Sequence, residues 1–442
     1  MTTEIAILNK FAVALAADSA VTTGIGEGKV FTSFNKLFPL SHHVPVGVMV
    51  YQNAEFMGVP WETMIDVYRK RVLMERKLDT LAEYAQDFIA FLENSNKTFP
   101  DLILPEDQES FFGALIAVPL TQVREITVIG IEHAIAQDAC LDHARVRRIA
   151  STAANFVANC HANEFHADTK YRPEVNDFVQ SLRKKYGATM ISSRAATLEH
   201  LPFTKTASSA VDDLMIDWMG TQALNPEKFC DNSPGYSGLV IAGFGENDRF
   251  PSLKAYKVAG IVGDRLMVAE DSSDSGDSVS IGSNTPGKIV SFADNEMIET
   301  FLRGIAPDYQ ESILSAFEEQ VDAMCSEIVT QFCGQTSKRR ERLVGLLESK
   351  KTEITESFAD RVWAADIRRV LSFDEVAAVL PRDALADMAE TLVSLSSFEK
   401  KVSEDKETVG GPTDVAVISR SEGFTWVKRS SVSCPEARTY LG

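Results

Sequence analysis

The 442-residue sequence reads as a layered α/β (α+β) protein with antiparallel sheets and helices outside them. Short apolar runs of strand length fall in three blocks, near the amino terminus, in the middle and near the carboxy terminus. Between those blocks lie long stretches with apolar residues at helical spacing.

Residues 4–8 and 11–17 read as two strands joined at Asn9-Lys10. A glycine-containing loop follows at 19–28, then strands at 29–33, 36–40 and 46–52, the last being Val46-Gly-Val-Met-Val-Tyr-Gln52. A helix is expected from Trp61 to Glu75. A second, from Thr80 to Glu93, puts Leu81, Tyr84, Ala85, Phe88, Ile89 and Leu92 on one stripe. Residues 95–235 carry helical segments, including 137–160 and 173–186, and few strand signals, so they read as a helical insertion. Strand character returns at 237–245 and 253–262. A helix is expected at 294–304, and residues 306–400 are helical again, with Pro381 restarting the pattern. The stretch Asp383–Phe398 aligns Leu385, Met388, Ala389, Leu392 and Leu395. Strands at 413–419 and 424–428 close the pattern. The expected organisation is a core at 1–94, an insertion at 95–235, core again at 236–305, a second insertion at 306–380, and a last core helix and strands at 381–442.

Composition narrows the function. Apolar residues make up 45% and charged residues 24%, values of a globular chain. The net charge of −19 argues against non-specific nucleic-acid binding, which draws its affinity from phosphate neutralisation. It argues equally against attraction to anionic membranes. The basic run Lys338-Arg-Arg-Glu-Arg342 reads as a solvated helix face. No uninterrupted apolar run reaches membrane-spanning length and no secretory leader pattern opens the chain, so a cytoplasmic protein is expected. Six scattered cysteines without a CxxC pair fit free thiols. No metal or cofactor is expected. Gly24-Ile-Gly-Glu-Gly-Lys29 lacks the Ser/Thr of a phosphate loop, since Val30 stands there. His161 and His166 are spaced by five, not the four that puts two ligands on one helix face. The acidic loop 270–278 does not alternate its acids as a calcium loop does.

The chemistry-bearing set lies at the start. Removal of an initiator Met1 exposes Thr2, which then carries a hydroxyl and a free α-amine on one residue, a nucleophile with its own base. The amine titrates near pH 7.7–8.0, roughly the working range. Asp18 ends the apolar run Phe11-Ala-Val-Ala-Leu-Ala-Ala-Asp18, and Lys36 lies in Phe34-Asn-Lys36-Leu-Phe. A lysine beside the amine favours its neutral form by like-charge repulsion, and an aspartate orients that lysine.

The Thr2-Thr-Glu-Ile-Ala-Ile start, the Ala-Ala-Asp18 run, Lys36-Leu-Phe and the strand 46–52 together resemble the opening of a proteasome β-subunit. They are similar also to the bacterial threonine protease that works with an unfoldase ATPase. Both are N-terminal nucleophile (Ntn) hydrolases. Leu239-Val-Ile-Ala-Gly-Phe-Gly245, the helix 383–398, Gly410-Gly411 and Asp414-Val-Ala-Val-Ile418 resemble later elements of that family. The insertions at 95–235 and 306–380 have no counterpart.

The resemblance implies a four-layer αββα sandwich of two antiparallel sheets, here with large helical insertions. It implies Thr2 as nucleophile, Asp18 and Lys36 as its partners, and a backbone N–H at Gln52 as oxyanion donor, where the family has glycine. Supporting roles fall to Ser291, Asp405 and Thr408, although none of the residues just before Gly410 aligns cleanly with the family's Asp and Ser. Ala20 replaces the family's basic residue. The implied activity is threonine-type hydrolysis of a peptide or protein substrate, in a homo-oligomer, with an ATPase/unfoldase as a conceivable partner. Two alternatives stay open: a catalytically inactive structural or binding relative, and a small-molecule amidase of the same superfamily.

Overall fold

The computed structural model describes residues 3–19, 21–23, 29–31, 34–137, 141–169, 173–224, 229–230, 235–271, 278–332, 338–402 and 412–429. The protein is mixed α and β. Its strands are β1 (Thr3–Asn9), β2 (Ala12–Asp18), β3 (Val21–Thr23), β4 (Lys29–Phe31), β5 (Leu37–Pro39), β6 (Val46–Gln52), β7 (Glu55–Phe56), β8 (Val59–Pro60), β9 (Ser237–Gly243), β10 (Ser252–Val262), β11 (Arg265–Glu270), β12 (Val279–Ser280), β13 (Gly287–Ala293), β14 (Thr413–Ser419) and β15 (Gly423–Lys428). Its helices are α1 (Trp61–Val67), which continues as a π-helical turn over Tyr68–Leu73, then α2 (Leu81–Thr98), α3 (Pro105–Ala136), α4 (His143–Thr169), α5 (Pro173–Thr197), α6 (Lys205–Leu224), α7 (Glu296–Arg303), α8 (Pro307–Phe332), α9 (Lys338–Ala377) and α10 (Arg382–Val402).

One sheet runs β13-β1-β2-β14-β15, and a second runs β11-β10-β9-β6-β5 with β12 paired to β10. By contacts the chain divides into two compact units. One holds residues 1–49, 242–253 and 274–442, and the other 50–241 and 254–273.

In the first unit, β1 is central, antiparallel to both β13 and β2. Asn9 turns the chain between β1 and β2. Its Oδ1 accepts from the amides of Phe11 at 2.9 Å and Ala12 at 3.2 Å, which is why a two-residue turn holds there. Its Nδ2 donates to the carbonyls of Ala377 and Leu380. Alternate residues of the sheet face the helices, as the period of two requires. Ile5 and Ile7, Ala12, Ala14 and Ala16, and Val415 and Val417 share a core with Ile298 and Leu302 of α7 and Leu385, Ala389, Leu392 and Val393 of α10. The small alanines of β2 leave room for the helix to approach. On the opposite face a Cβ at Gly47 of β6 would lie 2.7 Å from Ile418 Cδ1, so only glycine fits that close approach.

The second unit holds α1–α6. Phe112, Leu115, Ile116, Leu120 and Val123 of α3 form its core with residues of α4–α6 and with Val262 and Met267 of β10 and β11. By length and composition α3 is apolar enough to cross a membrane, its best 18-residue window having a mean hydropathy of 1.5. Its apolar stretch is interrupted at Thr121, Gln122, Arg124, Glu125 and Thr127.

Several boundaries differ from the sequence pattern. The 19–28 loop contains β3, paired with β4, because Val21-Thr-Thr23 is β-branched. The expected helix 137–160 is instead α4, which starts at His143. Asp142 caps it, its Oδ1 accepting the Arg145 amide at 2.7 Å. Thr80 caps α2, which runs on to Thr98, and Gly304 ends α7 in the left-handed conformation, φ 84°.

Candidate active site

β1, β2 and the segment before β5 converge at the amino end of β1. Lys36 Nζ lies 2.6 Å from Asp18 Oδ1 and 2.9 Å from Glu4 Oε1. The Asp18 and Glu4 side chains are fully buried, and the Lys36 side chain is 7% exposed. The structure therefore brings together Asp18 and Lys36, and adds Glu4. Register does the positioning. Glu4 pairs with Ala17, and Asp18, at the end of β2, pairs with Thr413 of β14. The Thr3 amide donates to Asp18 Oδ1 at 3.3 Å.

Thr3 has a second anchor. It pairs with Ala293, the last residue of β13, and its hydroxyl donates to the carbonyl of Asp294 at 3.0 Å. Ala293 holds a positive φ of 57°, which turns the chain sharply there. The Asp294 carboxylate ion-pairs with Lys400 of α10 at 3.4 Å, both side chains being 8% exposed. Burial pushes the Lys400 ammonium toward the neutral form, but Asp294, Glu399 and Glu296 outweigh it, and its pKa stands above the ordinary lysine value.

Ser291 of β13 pairs with Ile5 and donates its hydroxyl to Glu299 Oε1 at 3.0 Å. Glu299 in turn accepts from Arg303, which reaches Asp366. Ser291 thus ties β13 to α7 through a partly buried chain of charges. Gln52 ends β6 in the second unit, exposed, with φ 68°. A left-handed residue at this point is the conformation a glycine adopts without cost. Thr2, Asp405 and Thr408 lie outside the described residues, as does Ala20.

Spacing pointed to Asp18 and Lys36 but not to Glu4, Asp294 or Lys400. Two signals were available. Glu4 is the one charged residue in the strand Thr3-Glu-Ile-Ala-Ile-Leu-Asn9, whose every residue is buried. Lys400 continues the buried stripe of α10. Among the described residues, no group of three or more His, Cys, Asp and Glu side chains forms a metal site.

The arrangement holds one ammonium, shielded from water, between two carboxylates at the amino end of β1. No family model matches the chain, and no curated protein is significantly similar to it in sequence.

Proposed function

We propose that the chain is an N-terminal-threonine hydrolase of the Ntn kind, acting on peptide or protein amide bonds. The observation that carries this reading is the buried Lys36 ammonium, 2.6 Å from Asp18 and 2.9 Å from Glu4 at the amino end of β1. One peptide bond separates Thr2 from Thr3, whose amide is held by the same aspartate. In the proposed reaction Thr2 Oγ attacks the scissile carbonyl carbon and its proton passes to the α-amine. The tetrahedral intermediate collapses with cleavage of the C–N bond, and the proton is delivered to the leaving amine. Water then cleaves the acyl ester. Lys36 supplies positive charge near the α-amine, which favours the neutral, basic form.

The same reading carries the four-layer fold, a cytoplasmic setting, a homo-oligomer and an unfoldase partner. The fold draws support from the helix-covered sheet of the first unit. The oligomer and the unfoldase rest on the sequence resemblance.

The test has two steps. Intact mass must show a chain beginning at Thr2. A peptide β-lactone, which acylates hydroxyl nucleophiles, should then add one mass equivalent on Thr2 and none to Thr2→Ala. Equal labelling of both removes Thr2 from the mechanism.

One observation favours a catalytically inactive relative. Glu4 gives Lys36 a second carboxylate, as a purely structural ion cluster would have. Absence of Thr2 labelling in a correctly processed chain selects that reading. If labelling occurs, turnover of small amides but not peptides selects a small-molecule amidase.

A further inference from the structure

The buried stripe of α10 changes character along its length. Leu385, Ala386, Ala389, Leu392 and Val393 are apolar and pack on the sheet. The next positions on the same stripe are Ser396, Ser397 and Lys400, buried to 2%, 7% and 7% exposure. Among the described residues, the hydroxyls of Ser396 and Ser397 have no hydrogen-bond partner. Burying a hydroxyl without a partner costs stability. This polar end of α10 reaches β1 through Asp294. The carboxylate of Asp294 holds Lys400, and its carbonyl holds the Thr3 hydroxyl.

Thr3 therefore stands between two buried ion pairs. Its amide leads to Asp18 and Lys36, and its hydroxyl leads to Asp294 and Lys400. We propose that Asp294 and Lys400 are positioning residues for the amino-terminal residue, fixing the chain through Thr3 and setting the charge around its α-amine. This rests on the functional reading given above.

Among the described residues, the charged groups around the start of β1 include Glu4, Asp18, Lys36, Asp294, Lys400 and the buried Asp414, which pairs with Ala17 as Glu4 does, with Glu296 and Glu399 beside Lys400. Removing a cation from such a set raises the basicity of a neighbouring amine, and removing an anion lowers it. Lys400→Met and Asp294→Asn should therefore shift the α-amine in opposite directions. A role confined to packing gives no such sign reversal.

The experiment uses the full chain, with loss of Met1 verified by mass. The α-amine is acetylated with acetic anhydride across pH 6–10, and the amino-terminal peptide is quantified by mass spectrometry to give its apparent pKa. Relative to the parent, Lys400→Met should raise that value by about 0.5 unit or more, and Asp294→Asn should lower it by a similar amount. Lys400→Arg, which keeps the charge, should restore it. Thermal melting identifies any variant that fails to fold. If Lys400→Met is lost in that way, Asp294→Asn and Lys400→Arg carry the test. An unchanged α-amine in the folded variants overturns the proposal. This readout needs no catalysis, so a chain that shows the shifts but no β-lactone labelling refutes the hydrolase and keeps the positioning shell. Labelling without the shifts does the reverse. Retention of Met1 overturns both.

Discussion

Lys36 carries one positive charge between two fully buried carboxylates. Removing the ammonium would strand both, at a cost of about 3–5 kcal/mol, enough to unfold many domains. Loss of activity in a Lys36→Met variant would therefore say little about chemistry, and Thr2→Ala is the cleaner probe. Gln52 presents a different residue-level problem. Its φ of 68° costs an L side chain about 1 kcal/mol that glycine avoids. Gln52→Gly should hold or raise the thermal midpoint, whereas Gln52→Val should lose about 1–3 kcal/mol, because a branched Cβ fits that conformation poorly. Urea denaturation of the two variants checks the order, and a more stable Val variant would show that the strain is absent.

At the level of elements, Tyr68 opens the π-helical turn after α1 and packs edge-on against Phe88 of α2. Its phenol donates to Asp87 at 2.8 Å. Burial first, then the hydrogen bond and the charge of Asp87, push its pKa well above the ordinary 10.0. The sign follows from linkage. A phenol whose folded pKa is raised contributes full stability below the unfolded pKa and loses it as pH climbs beyond about 10. Stability should thus decline above pH 10 in the parent and decline less steeply in Tyr68→Phe, which also loses about 1 kcal/mol at neutral pH. Chemical denaturation at pH 8, 10 and 11 measures this, and parallel pH curves for parent and variant would exclude it.

The elements were the legible part of the sequence. The stripe Leu81, Tyr84, Ala85, Phe88, Leu92 and the run Val46–Gln52 announce their own periods. What sequence spacing did not reveal was the company Lys36 keeps. Glu4 and Lys400 acquire meaning only through partners on other elements, Lys36 and Asp294, and local pattern carries no record of those. The start of α4 was misplaced for a related reason. Helical propensity extends before His143, and a single cap at Asp142 decides the boundary.

For the molecule as a whole, acidity dominates. A net charge of −19 and a pI of about 4.9 predict strong mutual repulsion at neutral pH and least solubility near pH 5. Turbidity against pH should peak there, and a maximum above pH 6 would contradict the charge count. The same field should repel polyanions and favour approach of positively charged chains, an effect that salt weakens.

The strand order also sets a timetable. Asp18 pairs with Thr413, 413 − 18 = 395 residues later in synthesis, and Thr3 pairs with Ala293. At roughly 5–20 residues per second, the partner of Asp18 reaches the ribosome exit on the order of 20–80 s after Asp18 itself. The two strands that flank the β1–β2 hairpin, β13 and β14, are thus added only after most of the chain has been made. On the proposed reading, a nucleophile at position 2 would lack its flanking strands through that interval, so the topology would defer the reaction until the chain is nearly complete.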